Sequence, residues 1–159
     1  MTNFTCYNPV KLVFGKGTIA ELPTLIPAGT KVMLVYGGGS IKKNGVYDQV
    51  MAALSGYSVV EFSGIEPNPR YETCMKAAAL AKQEKVGFLL AVGGGSVLDG
   101  TKFIAVAACY TAGDPWAIME GRAPIAAALP LGSVLTLPAT GSEMRSEEHT
   151  SELQSRLHL

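Results

Sequence analysis

Two stretches, "KVMLVYGGGS" (residues 31–40) and "VGFLLAVGGGS" (86–96), each drive an unbroken apolar run into three glycines and a serine. An apolar run without polar alternation is a strand buried on both faces, and such strands belong to parallel sheets whose helical crossovers cover both sides. A helical pattern follows each. In "VYDQVMAALSG" Val46, Val50 and Leu54 share one side, and "SVLDGTKFIAVAACY" continues the second stretch. Two strand–glycine turn–helix units predict an α/β fold: a Rossmann-like parallel sheet with helices on both faces and ligands in the crevice beyond the strands' C-terminal ends.

The other segments supply lesser elements. "TCYNPVKLVFGKG" reads as two short strands about a turn at Asn8-Pro9, closed by Gly15 and Gly17, and "TIAELPTLI" as a brief helix. "SVVEFSGI" is the next strand, "EPNP" a turn, and "YETCMKAAALAKQEK" a helix with Cys74, Ala78 and Ala81 on one face. After a loop at "TAGDPW", "IAAALPLGSVLTLPATGSE" supplies one or two strands broken by Pro130 and Gly132.

Composition narrows the function classes. Lys plus Arg and Asp plus Glu are 13 each, so bulk charge points to neither nucleic acid nor an acidic membrane surface. Charged residues are 16% of the chain, against roughly 25% in ordinary soluble domains, which implies extensive burial or a face kept for a partner. Cys6, Cys74 and Cys109 are odd in number, far apart and free of C-x-x-C spacing, which disfavours a disulfide framework or a zinc site and fits a reducing cytoplasm. The N-terminus lacks a signal pattern, and no apolar run is long enough to span a bilayer.

A strand that stops in glycines ahead of a helix presents backbone N–H groups and the helix's positive end to a phosphate with no Cβ in the way. Anion binding is therefore one reading of both turns; simple tightening of βα turns is the other. Neither turn matches a standard fingerprint. Leu98 stands where G-x-G-x-x-G needs its last glycine, and "GTK" replaces the "GK[ST]" of a P-loop although Gly95 and Gly100 are correctly spaced. At the first turn, the NAD-selecting acid that ends such a strand is missing: Tyr36 is followed by Gly37, Gly38, Gly39 and Ser40. Backbone N–H groups, the Ser40 hydroxyl and the nearby Lys42 and Lys43 offer donors instead, which favours NADP, although two such lysines also suit a solvated helix start.

"GGGSVLDGTK", with "GIEPNP", "FGKG" and "TLPATGSE" in order, resembles the N-terminal domain of the iron-containing (group III) alcohol dehydrogenases, on the side of the NADPH-dependent butanol dehydrogenase and broad-range aldehyde reductase branch. The resemblance runs over residues 1–144. It implies the first domain of the dehydroquinate synthase-like two-domain fold, a nicotinamide cofactor, a primary alcohol or aldehyde as substrate, and a homodimer. It also implies a following helical domain in which an Asp and three His hold a divalent metal, iron or zinc. By the same resemblance Gly94, Gly95 and Ser96 meet the pyrophosphate, Asp99 orients the nicotinamide-side ribose, and Thr136, Thr140 and Ser142 face the pyrophosphate and nicotinamide. Asn68 matches a turn near the cofactor, where a rigid turn residue is the preferred reading over a ligand. Asp99 also suits the first turn of a helix, Ser142 a helix N-cap, and Lys102 either a phosphate or a neighbouring acid.

The metal ligands are absent from residues 1–144, which contain no histidine; His149 and His158 lie in the tail. "RSEEHTSELQS" is similar to the in-frame translation of a common sequencing adapter, so residues 145–159 are expected to be non-native, with Leu153 and Leu157 on an exposed amphipathic helix as the other reading. The expectation is then a cofactor-binding half that turns nothing over and exposes the apolar wall meant for its helical partner. A non-catalytic nucleotide-binding module and another member of the dehydroquinate synthase/glycerol dehydrogenase-like superfamily remain open beside it.

Overall fold

The computed structural model describes residues 10–139 and 141–144. Four parallel strands, β1 (Val32–Tyr36), β2 (Val59–Phe62), β3 (Phe88–Gly94) and β4 (Leu131–Leu137), lie in the order β2-β1-β3-β4. Between them run α1 (Leu22–Leu25), α2 (Ser40–Lys43), α3 (Val46–Ala53), α4 (Tyr71–Gln83), α5 (Gly95–Cys109) and α6 (Trp116–Met119).

Two crossovers of opposite direction explain this order. From β1 the chain passes through α2 and α3 to β2 on one side; from β3 it passes through α5 to β4 on the other. Right-handed crossovers that diverge must lay their helices on opposite faces. The core divides accordingly. Leu34 and Tyr36 pack with Val50 and Leu54 on the α3 face, while Met33 and Val35 pack with Cys74, Ala78 and Ala81 of α4 and Phe103 and Ile104 of α5 on the other. All five residues of β1 are buried, as are the first five of β3, because alternate side chains enter opposite cores. The two-sided cover inferred from the apolar runs is real for these strands.

Four expectations need correction. Residues 10–14 form no strand, and Phe14 is 94% exposed; among the described residues no strand offers them a ladder. Gly132 does not break its strand but lies within β4, where the Phe88 ring occupies the space a Cβ would need, 3.2 Å from it. Cover on both faces stops short of β4, whose Leu137 is 67% exposed. The loop at "TAGDPW" holds the short α6, started by the Asp114 carboxylate accepting the Trp116 N–H at 2.9 Å.

No helix among the described residues is long and apolar enough to cross a membrane. The segment 145–159, with both histidines, and Cys6 lie outside the described residues.

Candidate functional site

Diverging crossovers leave a crevice where the strand order reverses, outside the C-terminal ends of β1 and β3. Both glycine turns meet there. Gly37 and Gly38 after β1, and Gly94, Gly95 and Ser96 between β3 and α5, line a cavity of about 350 Å³ together with Glu66 and Asp99.

The second turn has the stronger anion geometry. α5 is a 15-residue helix whose N-cap, Gly94, has no side chain to cap its first N–H groups, an arrangement able to hold an anion. A Cβ on Gly94 would meet nothing within 4 Å. Gly93 is different: a Cβ there would lie 2.8 Å from Val97 Cγ2, so this glycine serves the close approach of β3 to α5. The first turn ends in Gly39, with φ 95°, ahead of α2, which is only four residues long. Its donors are bare turn backbone without a useful helix dipole. Gly38 opens onto free space, whereas a Cβ on Gly37 would stand 3.1 Å from the Ile65 carbonyl oxygen.

Residues 64–68 join the two turns. The Gly64 N–H donates to the Gly37 carbonyl and the Ile65 N–H to the Tyr36 carbonyl, both at 3.2 Å, while the Asn68 N–H donates to Ser96 Oγ at 3.3 Å. Asn68 has φ 58°, a left-handed turn conformation that Asn tolerates, so its backbone serves as a rigid turn. Glu66 lies midway and was not foreseen as a site residue. Its Oε1 accepts the Thr73 hydroxyl at 2.7 Å, and its buried Oε2 has no hydrogen-bond partner among the described residues. Burial pushes the Glu66 pKa up, but Thr73, the backbone N–H groups of Glu66 and Arg70 and the Arg70 charge outweigh it, leaving the carboxyl below its ordinary value. The acid in "GIEPNP" was the available signal.

Asp99 is 5% exposed on the cavity side of α5. Its Oδ2 accepts the Ser142 hydroxyl at 3.1 Å, and Lys102 stands 3.8 Å from its Oδ1 while also donating to the Ser142 carbonyl. Ser142, itself 5% exposed, directs its hydroxyl to Asp99. Lys102 therefore takes the acid-pairing alternative. Pairing of β3 with β4 jumps from Gly93↔Leu135 to Gly94↔Leu137, which leaves Thr136 at an irregularity beside the second turn, exposed. Thr140 lies outside the described residues. Gly39, Ser40, Asn68, Thr136 and Ser142 do not line the cavity.

Beside the first turn stands a second unforeseen group. Tyr36 Oη and Tyr47 Oη donate to Glu61 Oε2 and Oε1 at 2.9 and 2.8 Å, and Lys42 Nζ lies 5.2 and 4.7 Å from the two ring centroids. Tyr36 is the main cause of a raised Lys42 pKa, and the Glu61 hydrogen bond raises that of Tyr47. Cys74, buried between α4 and α5, is pushed up to about 12 by burial first and then by Glu66 and Glu72, so it is a packing thiol. Among the described residues no three His, Cys, Asp or Glu side chains are placed to hold a metal ion.

The family model for iron-containing alcohol dehydrogenase matches residues 9–147. The chain belongs to that family. It is 59% identical over 145 residues to the NADPH-dependent aldehyde reductase YqhD of Escherichia coli, a match covering 90% of this chain and 38% of that protein. It is 54% identical over 149 residues to a probable NADH-dependent butanol dehydrogenase of Bacillus subtilis, covering 92% and 38%. The crystal structure of Escherichia coli YqhD superposes with a TM-score of 0.86, covering 91% of this chain and 37% of that one. That of NADH-dependent butanol dehydrogenase A from Thermotoga maritima does so with a TM-score of 0.85 at 49% identity, covering 89% and 36%. The chain thus spans under two fifths of the length of the relatives it matches.

Proposed function

We propose that residues 1–144 form the nucleotide-binding part of an oxidoreductase that moves a hydride between NADP(H) and a primary alcohol or aldehyde. The observation that carries this reading is the crevice at the strand-order reversal, where two glycine turns border one cavity and the 15-residue α5 leaves its N-terminal N–H groups uncapped. The names of the relatives, an aldehyde reductase and butanol dehydrogenases, supply the substrate class.

The residues fit a dinucleotide. Gly94 leaves room beside the uncapped N–H groups for a pyrophosphate, Gly95 lines the same cavity, and Ser96, anchored by the Asn68 N–H, keeps its own proton to donate. Asp99, oriented by Ser142 and Lys102, is a carboxylate able to accept ribose hydroxyls. By the family resemblance, Thr136 and Thr140 are the hydroxyls expected to face the pyrophosphate and nicotinamide. Gly37, Gly38, Gly39 and Ser40 carry no acid to repel a 2′-phosphate, which supports NADP over NAD although relatives are named for each. Bound cofactor supplies the hydride; the chain's own residues hold it and fix its orientation.

The described residues do not fit a divalent metal, and no step is assigned to one. In this reading the iron or zinc of the parent protein is held by an Asp and three His of the helical domain, the parent is a homodimer, and the protein is cytoplasmic. The 159-residue chain then binds cofactor without turnover. Fluorescence titration with NADPH and NADH, followed by alcohol-oxidation assays with and without added iron or zinc, tests this. Saturable binding that favours NADPH, with no turnover, is expected; no binding of either nucleotide overturns the reading.

A further inference from the structure

In a doubly wound sheet the strand next to the pyrophosphate strand ends at the adenosine ribose, and an acid there accepts the 2′-hydroxyl of NAD and repels the 2′-phosphate of NADP. With the pyrophosphate turn on β3, the ribose corner is the end of β1, a placement that rests on the function proposed above. That corner carries no acid in sequence, but the fold brings one to the side chain of Tyr36, the residue before Gly37. Glu61 on β2 stands opposite Leu34 in the ladder and reaches Tyr36, the last residue of β1. Its carboxylate is exposed, so burial does not hold it in place. Two hydroxyls do: Tyr36 binds one oxygen at 2.9 Å and Tyr47, from α3, the other at 2.8 Å. Lys42, two residues past Ser40, lies over both rings and adds a positive charge facing the same carboxylate.

We propose that Tyr36 and Tyr47 sequester Glu61, and that Tyr47 and Lys42 are thereby specificity-determining residues that keep the first turn open to a 2′-phosphate. Two charge-assisted hydrogen bonds hold the carboxylate against the tyrosine hydroxyls, so turning it towards a ribose hydroxyl costs it those bonds. The rings also hold Lys42 in register with the turn, because Tyr36 precedes Gly37 and Lys42 follows Ser40. Freeing one oxygen of Glu61 gives the corner the acceptor, and the repulsion, that it otherwise lacks.

The test is the ratio of NADPH to NADH dissociation constants, measured on the full 159-residue chain by fluorescence titration at fixed salt. Tyr47→Phe shifts the ratio towards NADH by about tenfold, the scale of one charged hydrogen bond. Glu61→Gln alone leaves the ratio within about twofold, because the carboxylate is already withheld. The double variant Tyr47→Phe with Glu61→Gln returns the ratio to that of the wild type. Lys42→Met weakens NADPH by about threefold, the scale of an exposed charge, and leaves NADH unchanged. An unchanged ratio in Tyr47→Phe overturns the inference. So does an equal loss of both cofactors, or a shifted ratio that Glu61→Gln does not restore, since either marks Tyr47 as mere packing. A wild-type chain that binds neither nucleotide instead fails the function proposed above, and the inference falls with it.

Discussion

The turn after β3 feeds a 15-residue helix with no side-chain cap at its start, whereas the turn after β1 feeds α2, four residues long and followed by a separate helix. Both read Gly-Gly-Gly-Ser. The second turn has dipole, donors and a tight glycine against Val97; the first has open space at Gly38 and a tyrosine–glutamate–lysine group beside it. The same four letters thus serve two physical tasks. In the proposed function one corner takes the pyrophosphate common to both nucleotides, and the other is where they are told apart.

The largest expected difference is in stability. Gly93→Ala drives a methyl into the stiff Val97 side chain and costs about 1–3 kcal/mol in urea unfolding, while Gly38→Ala stays within about 0.5 kcal/mol. Equal costs would show that the second turn is no tighter than the first. Next comes affinity: Gly94→Ala leaves the unfolding midpoint in place but weakens NADPH and NADH alike by about tenfold, because a methyl intrudes where the phosphate approaches. At the first turn Gly38→Asp, placed in open space where Gly37→Asp would press on the Ile65 carbonyl, moves preference towards NADH by a similar factor. Titrations in which both variants lose both cofactors equally would erase the distinction between the corners. Ser142→Ala removes a buried hydroxyl donor from Asp99 and lowers stability by about 1 kcal/mol, with a weaker effect on binding.

The smallest effect concerns the link between the corners. Glu66 has a folded pKa below its unfolded value, so the stability it contributes is complete above the unfolded pKa, near 4.5, and is lost as pH falls through the lower folded value. Thr73→Val removes its hydroxyl partner and should narrow that acid-dependent window from below. Unfolding curves between neutral pH and the acid limb read this directly. A window that does not respond to Thr73→Val would mean that the backbone N–H groups and Arg70 hold the carboxylate without it.

Much of the architecture was legible because its signals are local. Apolar runs in residues 32–36 and 88–92 marked strands buried on both faces, and Cys74, Ala78 and Ala81 recur at helical spacing in α4. The glycine turns located the crevice for the same reason. What escaped notice depends on partners far along the chain. The bond from Ser142 to Asp99 joins residues 43 apart, and Glu61 drew no attention within its strand segment because its partners are Tyr36, 25 residues earlier, and Tyr47. Exposure of β4 and the irregular path of residues 10–14 were equally hidden, since whether a strand is covered or paired depends on neighbours that pattern alone does not supply.

The stretch from Gly64 to Asn68 is fastened at both ends, to the carbonyls of Tyr36 and Gly37 and to the hydroxyl of Ser96. A staple of fixed length cannot take up slack. An inserted or deleted residue there would misplace one corner against the other, so natural length variation should be confined to loops such as residues 111–115, and the five-residue count from Gly64 to Asn68 becomes a ruler for spotting chains that set these two corners the same distance apart.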